Sequence, residues 1–330
     1  MMRIVATIIM PLSLALSLAT PVSLAGPALA QTYPDRLIRM IVPFPPGGPV
    51  DTIARIVTQG LPQILGQTVI IENRGGASGT IGGRFVATSP ADGYTLLFGN
   101  ISSLVVTPVV TNNRDFDPDK AFTAVAKTSQ NYEVLVVHPG FPAKSVRELV
   151  GHAKANPGKL NFGSAGIGNA THLAAELFKQ RTGVDIVHVP YKGAFEAVTG
   201  VMAGQVQMFF GDIGGVLPLI REGRVRALAI SSEARSADLP NVPTMIESGV
   251  PGYVVLTYTG VVAPAATPPE IVGKLNAALN ASLQTPEVVA AMRRLGAESQ
   301  PSSPQEFSAF LAKEREKWRE VVRLSGIKIE

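Results

Sequence analysis

Short runs of aliphatic and β-branched residues alternate with amphipathic runs along most of the chain. Period-2 or continuous apolar patterning predicts strands over 37–42, 68–72, 95–99, 134–138, 160–163, 185–189, 206–210 and 227–231, with a further extended stretch over 253–262. Apolar positions at helical spacing predict helices between them, over 50–61, 79–88, 145–156, 170–181, 195–203 and 215–222. Such alternation is the signature of an α/β architecture with largely parallel sheets. Three helices then follow without intervening strands, over 268–281, over 286–295 and from Ser303 onward. The last opens with Ser303-Pro304-Gln305-Glu306, a capping box with proline at the first helical position, and Gly326 is its stop signal. Phe307, Phe310, Leu311, Trp318, Val321 and Val322 form its apolar face, which makes Trp318 a core anchor. The linear order suggests a lobe begun by residues 31–130, a second lobe inserted as 131–252, and a return to the first through 253–330. Two chain crossings of that kind make a hinge.

The connections between predicted strands and helices carry the chemistry. Pro43-Phe44-Pro45-Pro46-Gly47-Gly48-Pro49-Val50-Asp51 joins the first strand to the first helix. Prolines stiffen this loop, and two glycines remove side chains where the backbone turns into the helix. Unpaired N–H groups and a partial positive charge at a helix N-terminus suit an anion. Glycine lets that anion approach the main chain, although Gly47-Gly48 is equally consistent with a tight turn. A second cradle, Asn161-Phe162-Gly163-Ser164-Ala165-Gly166-Ile167-Gly168-Asn169-Ala170-Thr171-His172, again runs from strand to helix. Thr171 stands where a dinucleotide fingerprint needs its third glycine, and Phe162 stands where a nucleophile elbow needs its first, so neither motif is complete. Ser164 reads as a hydroxyl donor to a ligand or as a helix-entry residue.

Three more turns belong to the same set. Asn73-Arg74-Gly75-Gly76-Ala77-Ser78-Gly79 is glycine-rich and carries Ser78. Val189-Pro190-Tyr191-Lys192-Gly193 offers Tyr191 and Lys192 as groups that close over a ligand. Phe210-Gly211-Asp212-Ile213-Gly214-Gly215 offers Asp212 either as an acceptor for a ligand hydroxyl or amine or as a helix N-cap.

Composition narrows the function. Residues 1–30 read as an export signal: Arg3, an apolar run from Ile4 to Leu24, and Ala28-Leu29-Ala30 as a cleavage site. Removing them leaves 300 of the 330 residues and, with Arg3 gone, takes the formal net charge from +4 to +3. Three hundred residues make two domains the default. The chain has no cysteine, so disulfides, thiolate metal sites and a lipid-modified N-terminus are excluded. An exported chain of this kind fits a Gram-negative periplasm. The pI is about 9.3, but lysine and arginine are scattered and aromatics make up 6% of the residues, so no concentrated nucleic-acid-reading face is indicated. The four histidines, His138, His152, His172 and His188, lack close metal-ligand spacing, and no metal or other cofactor is expected. Ser164, His172 and Asp212 supply the residue types of a Ser–His–Asp hydrolase, with nothing in the sequence to place them as a triad.

Taken together these motifs resemble the Bug family, the extracytoplasmic solute receptors of tripartite tricarboxylate transporters. The resemblance runs over nearly all of the chain after residue 30. It rests on Tyr33-Pro34-Asp35-Arg36 through Gly47-Gly48 and Asp51, and on Val69-Ile70-Ile71-Glu72-Asn73-Arg74-Gly75-Gly76-Ala77. It continues through Asp92-Gly93-Tyr94-Thr95, Ser164-Ala165-Gly166 with Gly168 and His172, and Val189-Pro190-Tyr191-Lys192-Gly193. Leu239-Pro240-Asn241-Val242-Pro243-Thr244 and Pro251-Gly252-Tyr253 complete it.

The resemblance implies a two-lobed, type II periplasmic-binding-protein-like α/β fold, with mixed, mostly parallel sheets and a hinge of two crossing segments. It implies no catalysis and no cofactor. A small organic carboxylate is held between the lobes, mainly by backbone N–H groups and ordered waters. Phe44, Gly47, Gly48 and Asp51 fall in its first ligand loop, and Ser164, Ala165, Gly166 and His172 in its second. Ser78, Tyr191, Asp212 and Tyr258 are the further ligand-binding candidates. The implied partners are a tripartite tricarboxylate permease and a possible sensor kinase, with the receptor itself a monomer. Two departures bear on specificity: the family often has tryptophan where Tyr258 stands, and aspartate where Gly211 stands. No evident arginine pair accompanies the cradles, which argues against a ligand with several carboxylates.

Overall fold

The computed structural model describes residues 33–111 and 117–325. The export signal and its cleavage site, like the stop at Gly326, lie outside the described residues. The first half contains β1 (Ile38–Val42), α1 (Pro49–Thr58), α2 (Leu61–Leu65), β2 (Val69–Asn73), α3 (Thr80–Ala87), β3 (Thr95–Asn100), α4 (Thr107–Thr111) and α5 (Pro118–Ala121). A 3-10 turn, Ala77–Gly79, precedes α3, and a π-helical turn, Ser102–Val106, precedes α4. Next come β4 (Phe122–Val137), α6 (Val146–Ala155), β5 (Asn161–Ser164), α7 (Ala170–Thr182), β6 (Val187–Pro190), α8 (Ala194–Met202), β7 (Met208–Asp212), α9 (Ile213–Arg221) and β8 (Arg226–Ile230). The chain returns through β9 (Leu256–Pro264) and ends with α10 (Pro269–Leu283), α11 (Pro286–Arg294), β10 (Glu298–Ser299) and α12 (Pro304–Ser325).

The strands join in the order β2-β1-β3-β9-β4-β7-β5-β6, with β8 and β10 both paired to β4. Within each lobe the strands connected by helices pair in parallel: β1 with β2 and β3, and β5 with β6 and β7. The antiparallel pairings all involve β4 or β9. β4 is the long element that links the lobes. Phe122–Tyr132 pairs with β9, and Glu133–Val137 then pairs with β7 and β8. The second crossing is stitched to the first. The Glu133 N–H donates to Ser231 Oγ at 2.8 Å, and the Val255 N–H donates to the Ser231 carbonyl at 3.1 Å, just before β9 begins.

Local chemistry explains the element ends. Asn169 caps α7 by accepting from the Thr171 N–H, and Gly183 closes the helix at φ 66°, where an L side chain is strained. The capping box forms as read: the Ser303 N–H donates to Glu306 Oε2 at 2.8 Å, and the Glu306 N–H donates to Ser303 Oγ at 3.1 Å. One hydrophobic core fills the space beneath α1 and α10, with Met40, Val57, Phe98 and Leu279 at its centre. A second packs Phe162, Phe178, Phe210 and Tyr253 around α7 and continues to Phe307 and Trp318 on α12. A third lies beneath α8 and α9. Helix α12 packs on β4 and α7 together, and Gln180 Nε2 donates to the Val321 carbonyl at 2.9 Å. The C-terminal helix therefore braces both sides of the hinge. Among the described residues no helix is long and apolar enough to cross a membrane.

Candidate functional site

The first cradle is tied down from beneath. Gly47 takes φ +79°, and its N–H donates to Asp51 Oδ2 at 2.9 Å. Asp51 Oδ2 also accepts from Arg55 Nε at 2.8 Å, and Oδ1 accepts from Asn73 Nδ2 at 2.9 Å. Asn73 in turn donates to the Phe44 carbonyl at 3.0 Å. Burial alone would raise the Asp51 carboxyl, but the hydrogen bonds from Arg55, Gly47 and Asn73 outweigh it and hold the pKa at about 2. Asp51 is 1% exposed, so its work is to shape the loop. Phe44 is partly buried against the core beneath α1. Gly48 is the N-cap of α1 in an extended conformation, and no side chain caps that helix.

The second cradle is organised around two stacked imidazoles. Parallel pairing of β5 with β6 sets Phe162 opposite His188. The rings of His172 and His188 stack with centroids 3.8 Å apart, and Phe162 stacks on His188 at 4.9 Å. His172 Nδ1 accepts the Gly168 N–H at 3.0 Å, so its proton sits on Nε2, which faces Glu176 Oε1 at 3.8 Å. Burial, then His188 and Lys179, lowers the His172 pKa to about 3. Burial, then Lys179, lowers that of His188 to about 4. Both rings are therefore neutral at pH 7. Ser164, fully buried, shares a 2.6 Å hydrogen bond with His188 Nε2 and accepts the Gly166 N–H at 3.1 Å. The Ala165 N–H donates to Thr171 Oγ1 at 2.8 Å. Ser164, His172 and Asp212 do not assemble as a triad, because the ring bonded to Ser164 is that of His188 and Asp212 is engaged at the hinge.

Between the lobes lies a cavity of about 390 Å³. Three helix N-termini reach it: Pro49 and Val50 of α1, Asn169–Thr171 at α7, and Gly193–Ala194 at α8. Gly193, like Gly48, is an extended N-cap with no capping side chain. Neither glycine is required by backbone sterics. A Cβ on Gly48 would meet only the Pro45 carbonyl oxygen, at 3.4 Å, and one on Gly193 only the flexible Glu196 carboxyl. The opposite wall is built from the crossing strands: Ser129, Asn131 and Glu133 of β4, Thr257–Thr259 of β9, and Asp212. A larger groove of about 760 Å³ lies along Tyr132, Asp238, Arg293 and Glu298. It receives no residue of either cradle and no helix N-terminus, so the smaller cavity is the better candidate.

Asp212 is both an N-cap and a latch. It accepts from the Gly214 N–H at 3.1 Å, from Asn131 Nδ2 at 3.1 Å and from Thr257 Oγ1 at 3.1 Å, joining β7 to both crossing strands. Burial raises its carboxyl pKa against the pull of those three donors. Tyr258 is 2% exposed, packs edge-on against Phe310 at 4.7 Å, and has a buried hydroxyl with no hydrogen-bond partner. Glu133 is 1% exposed, and neither of its carboxyl oxygens has a hydrogen-bond partner. Burial, then the charge of Asp212, pushes its pKa well above the usual carboxylate range.

Of the candidates read from the sequence, Ala165, Lys192, Asp212 and Tyr258 line this cavity together. Gly47 and Gly48 sit one step before its α1 wall. Phe44, Asp51, Ser164, Gly166 and His172 do not line the cavity; Asp51, Ser164 and His172 are buried and bond the main chain of the two loops. Tyr191 is half-buried behind the second cradle, where its N–H donates to the Ser164 carbonyl at 3.0 Å. Ser78 is exposed, in a left-handed conformation at φ 51°, and its carbonyl accepts from Thr107 Oγ1 at 3.2 Å. Sequence reasoning missed Asn100, Ser129, Asn131, Glu133 and Thr257. The available signal for Glu133 was a lone acid directly preceding the apolar run Val134–Val137. Among the described residues no group of His, Cys, Asp or Glu is placed to hold a metal ion.

Two α/β lobes joined by crossing strands, with three helix N-termini reaching one cavity, define a solute-binding protein of the periplasmic type. The chain belongs to the tripartite tricarboxylate transporter receptor family, whose model matches residues 53–327. It is 40% identical over 308 residues to protein BugT of Bordetella pertussis, covering 93% of this chain and 94% of that one. Two solved structures are similar throughout. The R. palustris protein Rpa4515, with adipate, has a TM-score of 0.77 and 35% identity, covering 90% of this chain and 99% of that one. MatC from Rhodopseudomonas palustris, with bound malate, has a TM-score of 0.74 and 34% identity, covering 88% and 100%.

Proposed function

We propose that this receptor captures one small organic carboxylate in the cavity between its lobes and presents it, in the periplasm, to the membrane permease of a tripartite tricarboxylate transporter. The observation that carries this reading is the pair of uncapped glycine N-caps, Gly48 and Gly193, on helices that reach one cavity. A carboxylate there gains several main-chain donors and two helix dipoles, and Lys192 beside Gly193 also lines the cavity. The adipate and malate in two structural relatives support the ligand class. Residues 1–30 act as a cleaved export signal. Residues 31–130 and 253–330 form one lobe and 131–252 the other, a division supported by the crossing strands β4 and β9. The ligand selects the closed state, which the permease, or a sensor kinase reading the same surface, then recognises. The receptor works as a monomer, and no covalent step is involved.

The test is thermal unfolding of residues 31–330, refolded to remove carried ligand, against a panel of small carboxylic acids. An acid at about 100 times its Kd adds about 2.7 kcal/mol of stability. No shift with any acid would overturn the proposal. Gly193→Val provides the site-specific check. It is expected to weaken acid binding at least about tenfold while costing roughly 1 kcal/mol or less of stability, since no fixed atom opposes the new side chain. Unchanged affinity in isothermal titration would move the ligand away from α8.

A further inference from the structure

Opposite the helix N-termini, the cavity presents acid. Besides the phenol of Tyr258, its ionisable lining residues are Glu133, Asp212 and Lys192. Asp212 spends its oxygens on Asn131, Thr257 and the Gly214 N–H. Glu133 has no such partners, although its side chain is buried. Burial and Asp212 favour its protonated form, and an ammonium beside it would favour the carboxylate, whose two oxygens both accept. A buried carboxyl without a partner is costly, and proteins that retain one at a binding surface recover the cost when a ligand donates to it. The position is also specific. Glu133 is the residue at which β4 leaves β9 and begins to pair with β7, directly opposite Asp212 in the register.

We infer that this wall reads a cationic end of the ligand, so that the receptor takes a small acid carrying a protonated amine, with its carboxylate at the helix N-termini and its ammonium against Glu133. This rests on the carboxylate reading above and deepens it. An ammonium offers three donors and a positive charge to oxygens that have neither. A second ligand carboxylate at the same end would bring no positive charge and would stand, in a poorly solvated site, beside Asp212, whose like charge already drives Glu133 toward its protonated form. A plain hydrocarbon end would leave Glu133 unpartnered.

The experiment is isothermal titration of the chain from residue 31 onward with 3-aminopropanoate, 4-aminobutanoate and 5-aminopentanoate. Each is compared with the acid of the same length ending in methyl, hydroxyl or a second carboxylate. At one or more lengths the amino acid is expected to bind at least about tenfold tighter than all three counterparts. Glu133→Gln, which keeps the shape and removes the group able to ionise against an ammonium, is expected to erase that preference while leaving the methyl-ended acid within about threefold. Diacids or methyl-ended acids binding as well as the amino acids at every length would overturn the inference, even if Glu133→Gln failed to fold. So would a preference for hydroxy acids, which would assign Glu133 to a neutral donor. Both results leave the carboxylate reading standing. Failure of every acid to bind would overturn the two together.

Discussion

Truncating Trp318 to alanine is expected to lower the free energy of unfolding by about 3–5 kcal/mol, the usual range for emptying a large aromatic site in a core. The indole is fully buried in the cluster that includes Phe162, Phe178 and Phe210. Its Nε1 donates to Glu314 Oε2 at 3.0 Å, and Lys317 Nζ lies 4.8 Å from the ring centroid. Truncation therefore leaves a cavity and also takes a donor from Glu314, itself 5% exposed. Because α12 packs on β4 and α7 together, the loss falls on the brace across the hinge. Trp318→Phe should lose distinctly less, since it keeps most of the apolar volume. Urea unfolding measures both. A loss below about 1 kcal/mol for the alanine variant would mean that α12 contributes little to the joined fold.

The second large effect is acid sensitivity from the stacked histidines. In the unfolded chain each imidazole titrates near 6.5, whereas the folded values are about 3 for His172 and about 4 for His188. Between those limits the unfolded chain binds protons that the folded protein refuses. Stability from this source is full above pH 6.5 and is lost as the pH falls toward 4 and then 3. Each neutral histidine contributes a slope of about 1.4 kcal/mol per pH unit. For the buried His172 the loss between pH 7 and 4.5 comes to roughly 2.5 kcal/mol. His188 is more exposed, and solvent screening reduces its share. Glu133 and Asp212 act oppositely: their raised values let the folded state hold protons that the unfolded chain has released. The comparison that isolates the ring is thus wild type against His172→Gln, whose amide oxygen is able to accept the Gly168 N–H. Over pH 7 to 4.5 the variant should lose roughly 2.5 kcal/mol less than the wild type, read from urea unfolding at each pH. Identical pH profiles would show that His172 does not remain neutral in the folded state.

Much of this architecture is legible in the sequence because burial and turn chemistry write it locally. The strand-to-helix alternation, the capping box at Ser303 and the two glycine-rich cradles depend on near neighbours, and all were read. The first half of β4 was not. Lys127, Thr128, Ser129, Gln130 and Asn131 are assigned to no element by the sequence pattern, which predicts the strand only from Val134. They are strand because β9 pairs with them and their side chains are satisfied in place. Thr128 and Ser129 each share a hydrogen bond with Thr259 Oγ1, at 2.7 and 2.6 Å, and Lys127 Nζ donates to Gln130 Oε1 at 2.6 Å. Pairing across more than a hundred residues overrides local propensity. The same distance hid half of the site. Ser164 meets His188 only because β5 and β6 lie side by side, and Asp212 meets Asn131 and Thr257 only because the chain crosses the hinge twice. The cradles could be found from glycine and proline, whereas the hinge-side wall needed the topology.

A crystal structure of the chain from residue 31 onward with the tightest acid of the thermal panel tests the central claim most directly. Carboxylate oxygens should lie within about 3.2 Å of main-chain N–H groups in the first turns of α1 and α8, inside the cavity bounded by Asn131, Glu133 and Tyr258. A carboxylate held instead by arginine or lysine side chains, or seated in the groove along Tyr132 and Arg293, would contradict it.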